Sequence, residues 1–255
     1  VAADITPPAA PSLTLATASD SGSSTSDKKT YVNTPVINIS NSGTSSAAPV
    51  VGDIIKVYSG STSGTLLGVG TVTATSGTIA TVTLSSLSDG ANSLVATETD
   101  AAGNISNAST ALSITVDTIA PVLSAAAVSG TSLTLTYTEA GTGLYTTAPS
   151  TTDYTVLVNG TAATVSTVAI SSNIVTLTLS AAVADTDTIL VSYTPGTNKL
   201  QDIAGNLALS LSNQVVTNNT PPPAPTVQLA NDTGSSATDK ITYDPTLMVA
   251  DLEPG

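Results

Sequence analysis

Thr131-Ser132-Leu133-Thr134-Leu135-Thr136-Tyr137-Thr138 alternates apolar and hydroxyl side chains with a period of two. Successive side chains of a strand point to opposite faces, so Leu133, Leu135 and Tyr137 share one face and the threonines share the other. Asn173-Ile174-Val175-Thr176-Leu177-Thr178-Leu179 repeats the pattern, and residues 54–58 and 78–84 follow it less cleanly. Short alternating runs bounded by Gly, Asn and Ser are what antiparallel sheets with one wet face produce. Composition points the same way. There is no Phe and no Trp, so Val, Leu, Ile, Ala and seven Tyr must fill the interior. Thr and Val favour pleated surfaces because branching at Cβ stiffens χ1, and strong helix formers are scarce. The chain is therefore read as all-β, built of antiparallel β-sandwiches, with no helix. Asn159-Gly160 between two strands predicts a type I′ hairpin turn.

Internal repeats set the organisation. Thr6-Pro7-Pro8-Ala9-Ala10-Pro11-Ser12-Leu13 returns as Thr220-Pro221-Pro222-Pro223-Ala224-Pro225-Thr226-Val227. The segment from Asp20-Ser21-Gly22 to Asp27-Lys28-Lys29-Thr30-Tyr31 returns as Asp232-Thr233-Gly234 to Asp239-Lys240-Ile241-Thr242-Tyr243. A second period lies inside the first: Asp100-Ala101-Ala102-Gly103-Asn104 recurs as Asp202-Ile203-Ala204-Gly205-Asn206. Alternating strands are expected after each copy, at 110–116 and 207–216, followed by Pro-containing junctions. The expected domains are 1–118, 119–218 and an incomplete further repeat over 219–255. Their short Pro-rich linkers act as stiff, extended spacers. The chain opens at Val1 without a Met or a leader-like apolar stretch and stops at Gly255, which reads as a piece of a longer protein.

Charge narrows the function. Eighteen acids against five Lys give a net charge of −13. That repels a phosphate backbone and leaves no basic patch, so nucleic acid is excluded as a partner. No apolar run reaches the ~20 residues of a membrane span, so no membrane insertion is expected in this segment. With no His and no Cys, neither a Ser-His-Asp triad nor a zinc site of the usual nitrogen and sulfur type can form. A glycosidase needs only two carboxylates, but its sugar cleft is usually lined with aromatics, and only 3% of residues are aromatic. The chain is read as not an enzyme.

Several motifs carry a family resemblance. Gly52-Asp53-Ile54-Ile55-Lys56-Val57-Tyr58, Leu87-Ser88-Asp89-Gly90-Ala91-Asn92 and Asp100-Ala101-Ala102-Gly103-Asn104 make residues 5–118 resemble the bacterial immunoglobulin-like repeats of surface adhesins and biofilm-associated proteins. Residues 219–255 resemble the start of the same repeat. Val82 and Leu84 stand where such repeats carry a Trp, so the core there must pack differently. Residues 120–218 resemble another immunoglobulin-like class, the Swm-type repeat of swimming-motility surface proteins. That likeness rests on Tyr154-Thr155-Val156-Leu157-Val158-Asn159-Gly160, Val191-Ser192-Tyr193-Thr194-Pro195-Gly196 and Leu200-Gln201-Asp202-Ile203-Ala204-Gly205-Asn206. The resemblance implies tandem immunoglobulin-like sandwiches in an extracellular bacterial protein, at the cell surface or secreted. It also implies spacer repeats in an adhesin stalk, surface layer or filament, stiffened by Ca²⁺ at domain joints. The partners are then neighbouring repeats, including copies met by self-association. The alternative is an adhesion module that binds a glycan or a surface receptor.

Surplus carboxylates suit a hard cation, above all Ca²⁺. Gly103 and Gly205 suit a positive-φ turn at which an Asp side chain and carbonyls converge. Each loop alone is equally an ordinary Asp/Asn turn. Partners across a joint favour metal. The expected ligands are Asp100 and Asn104 with Asp117 at the first joint, and Asp202 and Asn206 with Asp232 and Asp239 at the second. Asp20 and Asp27 are the equivalent ligands facing whatever precedes Val1. Asp185-Thr186-Asp187 reads as a solvated hairpin tip.

Overall fold

The computed structural model describes residues 3–41, 47–230, 240 and 246–250. Strands β1 (Ser12–Leu15), β2 (Lys29–Thr30), β3 (Val36–Ser40), β4 (Ile54–Ser59), β5 (Leu66–Thr71), β6 (Thr78–Thr83), β7 (Gly90–Thr99) and β8 (Leu112–Val116) form a first module. They make two sheets, ordered β1-β3-β6 and β2-β8-β7-β4-β5. Ile37 and Ile39 of the first sheet pack with Ile55, Val57, Leu94, Ala96 and Ile114 of the second in one buried cluster. Alternation along each strand puts these residues on the inner face. Val82 and Leu84, in place of an aromatic, are buried here. The space is closed by backbone: a Cβ on Gly68 would lie 2.6 Å from Val82, and one on Gly70 at 2.8 Å.

A second module follows, with β9 (Val122–Ser129), β10 (Ser132–Thr138), β11 (Tyr154–Val158), β12 (Thr161–Ala163), β13 (Val165–Ser171), β14 (Ile174–Leu179), β15 (Ile189–Tyr193) and β16 (Leu211–Asn218). Its strands run in the order β12-β11-β15-β16-β9-β10-β14-β13. β16 joins the halves: it pairs antiparallel with β15 and then, through Thr217 and Asn218, parallel with β9. Leu133, Leu135, Val175 and Leu177 from one half meet Val156, Val191 and Tyr193 from the other. The predicted inner face of β10 is thus the buried one, as its burial pattern repeats.

Three tyrosines do the work of the absent Phe and Trp. Tyr137, Tyr154 and Tyr193 are buried, and the Tyr154 and Tyr193 rings lie 5.0 Å apart at 30°. Offset contact of this kind suits the charge distribution of the rings. The Tyr193 hydroxyl accepts the Leu200 N–H at 2.7 Å, whereas the Tyr137 and Tyr154 hydroxyls find no partner among the described residues. Burial pushes both of those hydroxyls far up, with neighbouring tyrosines adding to the effect.

Local chemistry agrees with the sequence at several points. Asn159 and Gly160 both take positive φ, 51° and 80°, in the two-residue turn between β11 and β12. One turn of 3-10 helix, Thr151–Asp153, departs from the strand-only expectation. Ser150 caps it, and Asp153 reaches back to the Ser150 N–H. The strand expected from 207 begins at Leu211 instead, because Leu207 is held in a bridge to Gln201. Beyond the second module, β17 (Thr226–Leu229) pairs antiparallel with β18 (Leu247–Ala250). Leu13↔Ile39 and Leu15↔Ile37 in the first module become Val227↔Val249 and Leu229↔Leu247 here.

Truncating Leu177, which is fully buried, should destabilise the second module by about 2–5 kcal/mol. Thr155→Ala, on the exposed face of β11, should cost less than about 1 kcal/mol. Denaturant unfolding of the two variants beside the parent chain checks both.

Candidate metal centre

The joint between the modules is built from the end of β8 and two loops of the second module, the one after β10 and the one at Asp202–Asn206. Asp117 directly follows β8, and its N–H donates to the Thr30 carbonyl at 2.9 Å. Its Oδ1 accepts the Ile119 N–H at 3.2 Å. Its Oδ2 accepts the Thr142 N–H at 2.8 Å and the Thr142 hydroxyl at 2.9 Å, so the carboxylate reaches into the second module. A Cβ on Gly141 would overlap that carboxylate, which accounts for Gly at this position. Asp89 holds the linker from the other side, accepting the Thr118 N–H and hydroxyl.

The Asp202–Asn206 loop closes the site. Asp202 Oδ1 accepts the Gly205 and Asn206 N–H groups at 2.6 and 2.8 Å. Gly205 has φ of 101°, a conformation that disfavours any side chain. The Asn206 amide donates to Asp202 Oδ2 and also to the Asp117 backbone carbonyl, both at 2.7 Å. One side chain therefore ties the Asp202–Asn206 loop of the second module to the last residue of the first.

Glu139, just after β10, completes a triad. Oxygens of Asp117, Glu139 and Asp202 lie within 4.8 Å of one another. Asp117 is 2% exposed and Asp202 is 0%. Glu139 Oε1 accepts the Gly141 N–H, but its Oε2 is buried with no donor among the described residues. No lysine is bonded to any of the three among the described residues. Burial first, and the Asp117 charge second, hold Asp202 above its ordinary value of 3.8. Burial also lifts Glu139 above 4.5, helped by Asp117 and Asp202.

The first module touches this loop directly. The Ser21 hydroxyl donates to the Ala204 carbonyl at 2.7 Å, and Gly22 lies against Ile203 and Gly205 so closely that neither glycine has room for a Cβ. Hydrogen bonds with Thr147 and then Ser23 lower the Tyr145 hydroxyl from 10.0.

Several expected ligands sit elsewhere. Asp100 and Asn104 do not join Asp117. β7 pairs with β8 so that Gly90 opposes Val116, which leaves Asp100 at the far end of a ten-residue strand, about 30 Å away at 3.3 Å per residue. There the Asn104 amide bonds Asp100 Oδ2 and the Asp4 carbonyl. The Asn104 bond is the chief reason the Asp100 carboxyl is lowered. Asp202 and Asn206, assigned to the second joint, serve the first. Asp20 and Asp27 do not face the chain start, since the Ser21-Gly22 turn of their loop meets the second module. Asp20 Oδ2 accepts the Lys28 N–H and Asp27 Oδ1 the Lys29 N–H, and neither joins the triad. Asp232 and Asp239 lie outside the described residues. Asp187 bonds Asn159 and the Ala184 N–H, as a turn residue does. Glu139 was missed altogether, because a lone Glu after a strand carries no spacing motif.

Comparison with protein families gives two matches. Residues 6–118 match the family model described as "Bacterial Ig-like domain", and residues 116–198 match the SWM repeat, described as "Putative flagellar system-associated repeat". No curated protein matches the chain. Among solved structures it is similar to a marsupial T cell receptor, with 13% identity over 87% of this chain and 78% of that one and a TM-score of 0.43. It is similar to fibronectin(III)-like modules of Clostridium thermocellum CbhA, with 18% identity, coverage of 76% and 90%, and a TM-score of 0.28. It is also similar to a tetra-tandem repeat in the extending region of a large adhesion protein, with 16% identity and a TM-score of 0.27, covering 87% of this chain and 52% of that one.

The raised carboxyls give a signed prediction. A folded-state value above the ordinary one means that the folded chain binds the proton more tightly than the unfolded chain. In chelator, these two groups should therefore add stability as pH falls through their folded values toward the ordinary carboxylate range, and lose it as pH rises through those folded values, a window above 3.8 and 4.5 respectively. The lowered Asp100 acts only below 3.8, outside this window. Melting temperature against pH in chelator checks the sign.

Proposed function

We propose, from the premise that residues 6–118 are a bacterial Ig-like domain and residues 116–198 an SWM repeat, that the chain is a spacer segment of a bacterial surface repeat protein whose joint is locked by Ca²⁺. The carrying observation is the Glu139 oxygen that is buried without a donor beside Asp117 and Asp202. Three carboxylates drawn out of water into one pocket repel each other and need a counter-charge. A hard divalent ion with oxygen ligands meets that need, and Asp117, Glu139 and Asp202 would hold it. Ca²⁺ would neutralise the pocket and resist bending of the linker, because its ligands come from both modules. The chain's own residues already set the geometry: Asn206 grips the Asp117 carbonyl, and Thr142 grips its carboxylate.

The matches to a bacterial Ig-like domain and an SWM repeat support a spacer that works outside the cell beside further repeats, and a stiff joint suits that role. Tandem modules transmit distance only if the angle between them is fixed. No helix among the described residues is long and apolar enough to cross a membrane. A second reading draws on an apolar groove of about 240 Å³ on the second module, lined by Val122, Leu123, Tyr137, Leu209 and Leu211. Such a groove suits an apolar segment of a receptor better than a glycan.

Calorimetric titration of the chain with Ca²⁺ should show a site that Asp202→Asn and Glu139→Gln each weaken by tenfold or more, about 1.4 kcal/mol or above. Equal affinity in parent and variants would remove the joint as the site.

A further inference from the structure

The first module buries a second pair of carboxylates, at the end of β7 away from the joint. Glu98 is 0% exposed. Its N–H donates to the Ser106 hydroxyl at 2.9 Å and its carbonyl accepts the Ser106 N–H, which fixes the strand end against the loop that follows. Its Oε2 accepts the Asn41 amide at 2.7 Å, and the same amide reaches the Ala9 carbonyl at 3.0 Å. Its Oε1 is buried with no donor among the described residues. Asp53, which begins the turn into β4, is 3% exposed and stands beside Glu98. Asp53 Oδ2 accepts the Val50 N–H at 2.9 Å, which ties the side chain to the turn before β4.

Glu98 does not fill space that apolar packing could not. Two residues before the second Asp-x-Ala-Gly-Asn loop, the matching position is Leu200, 1% exposed and plainly apolar. Asp53 has its own counterpart in Asp153, which caps the Ser150 N–H as Asp53 caps Val50. The first module therefore adds a carboxylate to a conventional turn Asp and buries both. Two neighbouring buried carboxylates, one with an oxygen that meets no donor among the described residues, call for a positive species. Burial and the Asp53 charge raise the Glu98 carboxyl, as they would wherever that species is missing.

We propose that Glu98 and Asp53 form a second cation site, taking a hard divalent ion such as Ca²⁺ inside the first module. Asn41 positions Glu98 and supplies no charge. The site is separate from the joint and does not depend on it: the joint ion locks two modules, whereas this ion pins the linker residue Ala9 and the strands β4 and β7 of one module together.

Native mass spectrometry of the full chain in Ca²⁺ at neutral pH tests this by differences in ion count. Glu98→Gln should carry one ion fewer than the parent, and Asp202→Asn should independently lose a different one, so the double variant loses two. Asp53→Asn serves as the second probe if Glu98→Gln does not fold, as judged by circular dichroism. Unchanged ion counts in Glu98→Gln and Asp53→Asn would overturn the proposal and leave a shared proton between the carboxyls. Loss of an ion in Asp202→Asn alone would uphold the joint and sink this site; loss in Glu98→Gln alone would do the reverse.

Discussion

The bond from the Asn206 amide to the Asp117 carbonyl is the constraint around which the joint is arranged. It places the last residue of the first module under the loop of the second, and so draws the Asp117 carboxylate toward Asp202 and Glu139. Everything nearby serves that approach. Thr142 bonds the Asp117 carboxylate from the second module and accepts the Ala204 N–H on its hydroxyl, while Gly22, Gly141 and Gly205 clear the space. The cost is three clustered carboxylates in a place with little water, a cost that hydrogen bonds to Asp202 offset only in part.

The same device recurs at the other end of the first module, with one part changed. Asn104 bonds Asp100 and the Asp4 carbonyl as Asn206 bonds Asp202 and the Asp117 carbonyl. Asn41 follows β3 as Glu139 follows β10. Where the second module puts a carboxylate at the joint surface, the first has an amide there and buries its extra carboxylate, Glu98, one step deeper. Related loops thus carry different charge in the two modules, and the charge, not the backbone, distinguishes them.

Much of the fold was legible because strand alternation is a local property. Leu133, Leu135 and Tyr137 declare the inner face of β10 without reference to anything distant, and Asn159-Gly160 declares its turn through positive φ alone. The loop glycines were legible for the same reason. The site was not, because it depends on which end of a sandwich each loop occupies. Asp100 and Asp117 are close in sequence, yet the chain between them runs back along β8, so they finish a strand apart. Asp202 was assigned to the joint after its own module, when its loop lies at the joint before it. Glu139 gave no warning, since its role comes from proximity across the joint and not from spacing along the chain.

The central claim is that a cation bound by Asp117, Glu139 and Asp202 fixes the angle between the modules. Because the chain has no cysteine, single spin labels can be placed cleanly at Ser63 in the first module and Thr186 in the second, both exposed. The distance distribution between them, by pulsed electron spin resonance, is predicted to be a single narrow peak in Ca²⁺ and broad in chelator, with Asp202→Asn broad in both. One distribution, unchanged by chelator or by the substitution, would contradict the account.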